Sequence, residues 1–112
     1  CENGSCSTAK NWVLQANRAY KRPDGTAIGT TDASRVFGNL AAAIAPSGTI
    51  ASAWTGLMPT AWTVSSSTCS GWTTSETGSS GDYGQISVTG NSAFAYGGNV
   101  CSAALGVYCV QQ

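Results

Sequence analysis

The chain has 112 residues, of which only 9% are charged; five Lys and Arg balance five Asp and Glu, and there is no His. That length suits one domain with a single core, small enough to gain from covalent staples. The charge balance leaves no basic stripe to hold nucleic acid or an anionic membrane. Solubility then rests on Ser, Thr, Asn and Gln, as on an uncharged extracellular surface. Five cysteines, at positions 1, 6, 69, 101 and 109, point to disulfides and an oxidising compartment. A zinc site fails on spacing, because there is neither a Cys-x-x-Cys pair nor a His. The odd count leaves one cysteine without an intrachain partner. The longest apolar run, residues 40–45, is far too short to span a bilayer.

The chain opens at Cys1 rather than Met, as a processed product, an excised domain or a fragment of a longer chain would. A disulfide between Cys1 and Cys6 would close a small loop worth about 2 kcal/mol by chain entropy. A lipid-carrying Cys1 is the lesser alternative. Trp12-Val13-Leu14 reads as a short apolar strand, and residues 19–28 as a β-hairpin about Pro23-Asp24-Gly25, where Pro presets φ and Gly supplies φ > 0. Arg18, Lys21 and Arg22 form a cationic cluster beside that tip, the usual composition of a solvated face. Residues 34–45 fit a short helix capped by Asp32 or Ser34, or else an irregular apolar segment, since Gly38 and Asn39 interrupt the period.

Ile50, Ala51, Ala53, Trp54, Gly56 and Leu57 then fit a strand with a buried Trp. Residues 60–82 are rich in Ser and Thr but carry Trp62, Val64, Cys69 and Trp72, which argues for an ordered loop region rather than a linker. Residues 77–82 would be its flexible tip. Residues 85–89 and 93–96 alternate as two short strands about Gly90-Asn91. Cys101 to Cys109, two cysteines around seven mostly small or apolar residues, reads as a final buried strand. There is no internal repeat.

Several of these pieces together resemble a known family. Asn11-Trp12-Val13-Leu14, Tyr20, Arg22-Pro23-Asp24-Gly25-Thr26, Gly29-Thr30-Thr31, Trp54-Thr55-Gly56-Leu57, Cys69-Ser70-Gly71-Trp72-Thr73 and Val107-Tyr108-Cys109-Val110, in this order, look like DUF1554. That family is abundant in secreted and surface proteins of Leptospira. The spacing of Cys69, Trp72, Thr77-Gly78, Cys101 and Cys109 is also similar to the endostatin domain of collagens, which has a C-type-lectin-like fold. The resemblance implies an α+β class, mostly β and loop, with residues 1–112 forming a single disulfide-stapled C-type-lectin-like domain that lacks its N-terminal strand and helix. It implies a bridge from Cys69 to Cys101, worth about 3.7 kcal/mol by chain entropy. Cys109 becomes the outer cysteine, unpaired or paired with another polypeptide that supplies the missing N-terminal elements. Trp54 and Trp72 match core positions of the family and are expected to be mostly buried.

The chemistry on offer favours recognition over catalysis. The Glu-Pro-Asn, Gln-Pro-Asp and Trp-Asn-Asp motifs of calcium-dependent lectins are absent, and only 11 residues separate Leu57 from Cys69, so the loop that builds their calcium site is abbreviated. Without a His, a phosphate-binding Gly loop or an apolar setting for Glu76 and Asp82, no general acid or base stands out. An apolar strand would likewise blunt Cys109 as a nucleophile. The expectation is a non-enzymatic module without cofactor or metal, secreted or on the cell surface, that binds glycans or matrix or host proteins without calcium. Trp62, Trp72, Glu76, Asp82 and Tyr83 are the candidate ligand-binding residues, with Trp62 and Tyr83 foremost. The alternative is a structural subunit of a surface assembly or filament, completed or cross-linked by another chain.

Overall fold

The computed structural model describes residues 13–46, 48, 51–58 and 62–111. The proposed Cys1–Cys6 bridge and Trp12 lie outside the described residues. Two sheets are present. A hairpin pairs β1 (Ala19–Lys21) with β2 (Ala27–Thr30) in antiparallel register. A mixed four-stranded sheet combines β3 (Ser52–Trp54), β4 (Ser80–Gln85), β5 (Gly97–Val100) and β6 (Gly106–Val107) in the order β5-β4-β3-β6. The β3–β4 and β4–β5 pairs are antiparallel and β3–β6 is parallel. One short helical turn, α1 (Cys69–Trp72), and a 3-10 turn at Asn91–Ala93 complete the elements.

The hairpin forms where Pro23-Asp24-Gly25 was expected to turn the chain. Asp24 accepts a hydrogen bond from the Thr26 backbone N–H at 2.8 Å, an Asx-turn closure, and this bond holds its carboxyl below the usual carboxylate value. Gly25 has φ +88°, as the turn needs. Arg22 is no part of a free cationic surface: its guanidinium donates from Nε (2.8 Å) and Nη2 to the Ala43 carbonyl.

Residues 34–45 contain no helix. Their backbone is satisfied from both sides instead, with Ala41 N–H donating to Ile28 O at 2.7 Å, Leu40 N–H to Thr89 O at 2.8 Å and Ala45 N–H to Ile86 O at 3.0 Å. External acceptors replace the intrahelical ones, and Asp32 Oδ1 receives the Ser34 and Val36 N–H groups. This segment seats Phe37 and Leu40 in a core with Leu14, Leu57, Ala93, Phe94 and Ala95. Phe94 is its aromatic hub: it stacks on Phe37 at 5.8 Å, and meets Trp62 at 4.3 Å and Tyr108 at 5.9 Å.

Four expectations about strands are corrected. Val13-Leu14 is not a strand, although Leu14 is buried. The supposed flexible tip enters β4, the longest strand, at Ser80, because Gly81 and Asp82 pair with Asn99 and Gly98. Residues 93–96 are the end of a 3-10 turn and its exit, and β4 takes only Gln85 from the expected 85–89 strand. The stretch from Cys101 to Cys109 is not one buried strand: it turns after Cys101, supplies only Gly106–Val107 to the sheet edge, and leaves Val107 69% exposed. Its small residues at 102–106 bury little side-chain surface, and within the stretch it is Tyr108 that packs against the core.

The disulfide implied by the resemblance is present: Cys69 and Cys101 are bonded, with their Cα atoms 5.6 Å apart. Cys109 is a free thiol and exposed. The chain is thus a small, mainly β module with one short helical turn and a buried staple.

Candidate functional site

Strand register sorts the side chains of the mixed sheet onto two faces. Ala53, opposite Gly84, faces the core; both are buried. Their neighbours Trp54 and Tyr83, also opposite one another, therefore share the other face. The alternation is small-in and aromatic-out, the reverse of a usual half-buried sheet.

Two further rings extend this pair into a row. Trp72 lies against Trp54 with centroids 6.0 Å apart, and Tyr96, just before β5, lies 5.6 Å from Tyr83. Trp72 is 50% exposed and Tyr96 52%; Trp54 and Tyr83 are half-buried beneath them. The expected burial of Trp72 is therefore overturned. Its ring lies against Trp54 on the sheet's outer face, beside the buried Cys69 sulfur that covers Gly81 there.

Trp72 is held there by an unusual turn. Cys69, Ser70, Gly71 and Trp72 all have positive φ, between 48° and 70°, so α1 is a left-handed turn. Trp72 N–H donates to Thr68 O at 2.6 Å and Thr73 N–H to Cys69 O at 3.1 Å, while the Thr68 hydroxyl accepts from Gly71 N–H. Each non-glycine residue in this region costs roughly 1–2 kcal/mol. Such geometry persists only where the surroundings over-determine it, and here the disulfide fixes its first residue and ring packing its last. Glycines make the space: a Cβ on Gly81 would lie 2.7 Å from Cys69 Sγ and 3.1 Å from the Trp54 ring, and one on Gly56 would lie 2.8 Å from the Trp72 ring.

The candidate residues separate accordingly. Trp72 and Tyr83 lie on the same face without touching: Trp72 packs on Trp54 and Tyr83 on Tyr96, and the two ring pairs are set side by side by the Trp54–Tyr83 register. Trp62 does not join them: it packs on Phe94 and Phe37 and donates its Nε1–H to the Phe37 carbonyl at 3.1 Å. Asp82, adjacent to Tyr83 in β4, points to the opposite face, and its backbone carbonyl receives the Thr55 and Gly56 N–H groups. Glu76 is exposed on the loop after α1. Among the described residues no group of three Asp, Glu, His or Cys converges as metal ligands.

Tyr96 and Val107 escape the sequence reading because residues 93–96 fit a short alternating strand and the tail a buried one. The signal that could have placed the face is the alternation of Ala53 with Trp54 and of Tyr83 with Gly84, small beside large at period two.

Fold and site together define a small disulfide-stapled β module with an aromatic outer face. The chain belongs to DUF1554, a family of proteins of unknown function, whose pattern it matches over residues 1–89. No curated protein and no solved structure matches it. Among the described residues no helix is long and apolar enough to cross a membrane, and the disulfide is compatible with an extracellular location.

Proposed function

We propose that this chain is an extracellular, non-catalytic recognition or adhesion module with a C-type-lectin-like fold, binding glycans or matrix or host proteins without calcium. The observation that carries the reading is the row Trp72, Trp54, Tyr83 and Tyr96 on the sheet face away from the core. A small domain gains stability by burying such rings. Rings left half-exposed on a rigid sheet are the usual anchors of a recognition surface. The mixed sheet and the Cys69–Cys101 staple support the lectin-like scaffold. The test is a glycan and matrix-protein array probed with the full chain and with Trp72→Ala, in EDTA. Binding that survives EDTA and is lost in the variant is the expected result; an array without signal overturns the reading.

The exposed free thiol of Cys109, two residues beyond the edge strand β6, favours a second reading, a subunit cross-linked into a surface assembly. Non-reducing electrophoresis would then show covalent oligomers that Cys109→Ser abolishes. A strictly monomeric mass under oxidising conditions rules this reading out.

A further inference from the structure

Resting on the recognition reading, we infer that the Trp72–Trp54–Tyr83–Tyr96 row is a binding site for an uncharged, extended sugar chain, taken by stacking of pyranose faces rather than by metal coordination or ion pairing. The first ground is charge. Besides the aromatic rings and Val107, the face presents Ser52, Gln85 and Asn99, placed there by the strand register and all uncharged. Asp82 turns to the other side of β4, and Arg22 is tied to Ala43. None of the strand residues that the register places on this face is cationic, so a sulfated or carboxylated polymer gains no ion pair from them. None is anionic, so a basic peptide gains none either.

The second ground is the state of the polar tips. Within the described residues, neither the Trp54 and Trp72 indole N–H groups nor the Tyr83 and Tyr96 hydroxyls are engaged in a hydrogen bond, whereas Trp62 Nε1 and the Tyr108 hydroxyl both are. The face thus offers flat apolar rings fringed with neutral, uncommitted donors and acceptors. A pyranose is complementary to that combination, having one apolar C–H face and a rim of neutral hydroxyls, and stacking on aromatic rings is the general way such a surface is held.

The third ground is shape. Two tilted ring pairs, Trp72–Trp54 and Tyr83–Tyr96, each with planes 56° apart, lie across neighbouring strands spaced about 4.8 Å apart, so the rings form a stepped shelf. A shelf fits several units of a chain better than a single monosaccharide. The left-handed turn sets one end of it, because its geometry holds the Trp72 ring against Trp54.

Titration calorimetry of the full chain with cellohexaose, mannohexaose and chitohexaose, and in parallel with a heparin hexasaccharide, tests the inference. At least one neutral hexasaccharide is expected to bind saturably, with affinity unchanged within twofold between 50 and 500 mM NaCl and in EDTA. Affinity should weaken at least tenfold in Trp72→Ala and in Tyr96→Ala, both variants still unfolding in one cooperative transition well above the temperature of the measurement. Binding of heparin alone, fading with salt, overturns the inference, as does neutral-sugar binding that both variants retain. If the matrix-protein array is positive through Trp72 while all the neutral sugars fail, the inference falls and the recognition reading stands. Silence from every sugar and protein ends both.

Discussion

Trp54 and Tyr83 stand directly opposite each other across the β3–β4 ladder, one residue out of phase with the buried pair Ala53 and Gly84. A slip of one residue in this register would turn one of the two rings onto the core face and bring a small residue out in its place. The close packing of the core face against Ala93, which is fully buried, leaves no room for that. The same register thus packs the core and displays the aromatic row.

Trp62 and Trp72 are predicted to separate under mutation. Trp62 contacts Phe37 and Phe94 and donates to the Phe37 carbonyl, so Trp62→Ala should cost about 2–3 kcal/mol of stability, near the lower end for removing a large core ring. Trp72, half-exposed, should cost less than about 1 kcal/mol when truncated. Urea denaturation of the two variants measures the difference; equal losses would place Trp72 in the core.

Removing the staple should be more damaging than either. The Cys69–Cys101 bond spans 32 positions and anchors a left-handed turn. The Cys69→Ala/Cys101→Ala double variant should lose about 3–4 kcal/mol, read from the extrapolated unfolding free energy in urea, with a steeper slope because the unfolded chain loses its cross-link. Thiol titration of the folded wild type should find Cys109 reactive without denaturant and the bridged pair silent.

Ser70 sits in the left-handed turn at φ 56°, where a glycine would be unstrained. Ser70→Gly should therefore raise stability by up to about 1 kcal/mol, whereas Ser70→Val should lower it by more than that, since a β-branched side chain resists this region. Thermal melts of the two variants should move in opposite directions.

Tyr108 makes stability fall in alkali. Burial pushes its phenol from 10.0 up to about 12, and the hydroxyl donates to the Ala93 carbonyl. The folded state therefore holds the proton more tightly than the unfolded state. The contribution is complete below pH 10 and is lost as pH rises from 10 to 12, by no more than about 1–2 kcal/mol once partial solvent screening is allowed for. Tyr108→Phe should flatten that part of the pH profile while costing about 1 kcal/mol at neutral pH through the lost hydrogen bond.

Much of the local structure was legible before any coordinates. Pro23-Asp24-Gly25 encodes its turn through backbone restrictions that hold in any context, and Trp54 fell in a strand as its neighbours suggested. The cysteine spacing, read through the family resemblance, pointed to the right bridge. Tyr83, Asp82 and Trp62 were less legible as candidates. Ser/Thr-rich composition hides both the central strand β4 and the side of the molecule on which each ring ends, because neither depends on neighbours in sequence.

Residue order by itself determined a small β module of zero net charge, its hairpin and its dependence on a staple, because turn chemistry, composition and cysteine count act locally or on the chain as a whole. Only the tertiary structure decided which aromatics are core and which are surface. That choice belongs to strand register and to the left-handed turn at Cys69–Trp72, where pairing partners some thirty residues apart fix the phase of each strand. Trp62 and Trp72 are the same side chain in similar company, and the fold sends one inward and the other out.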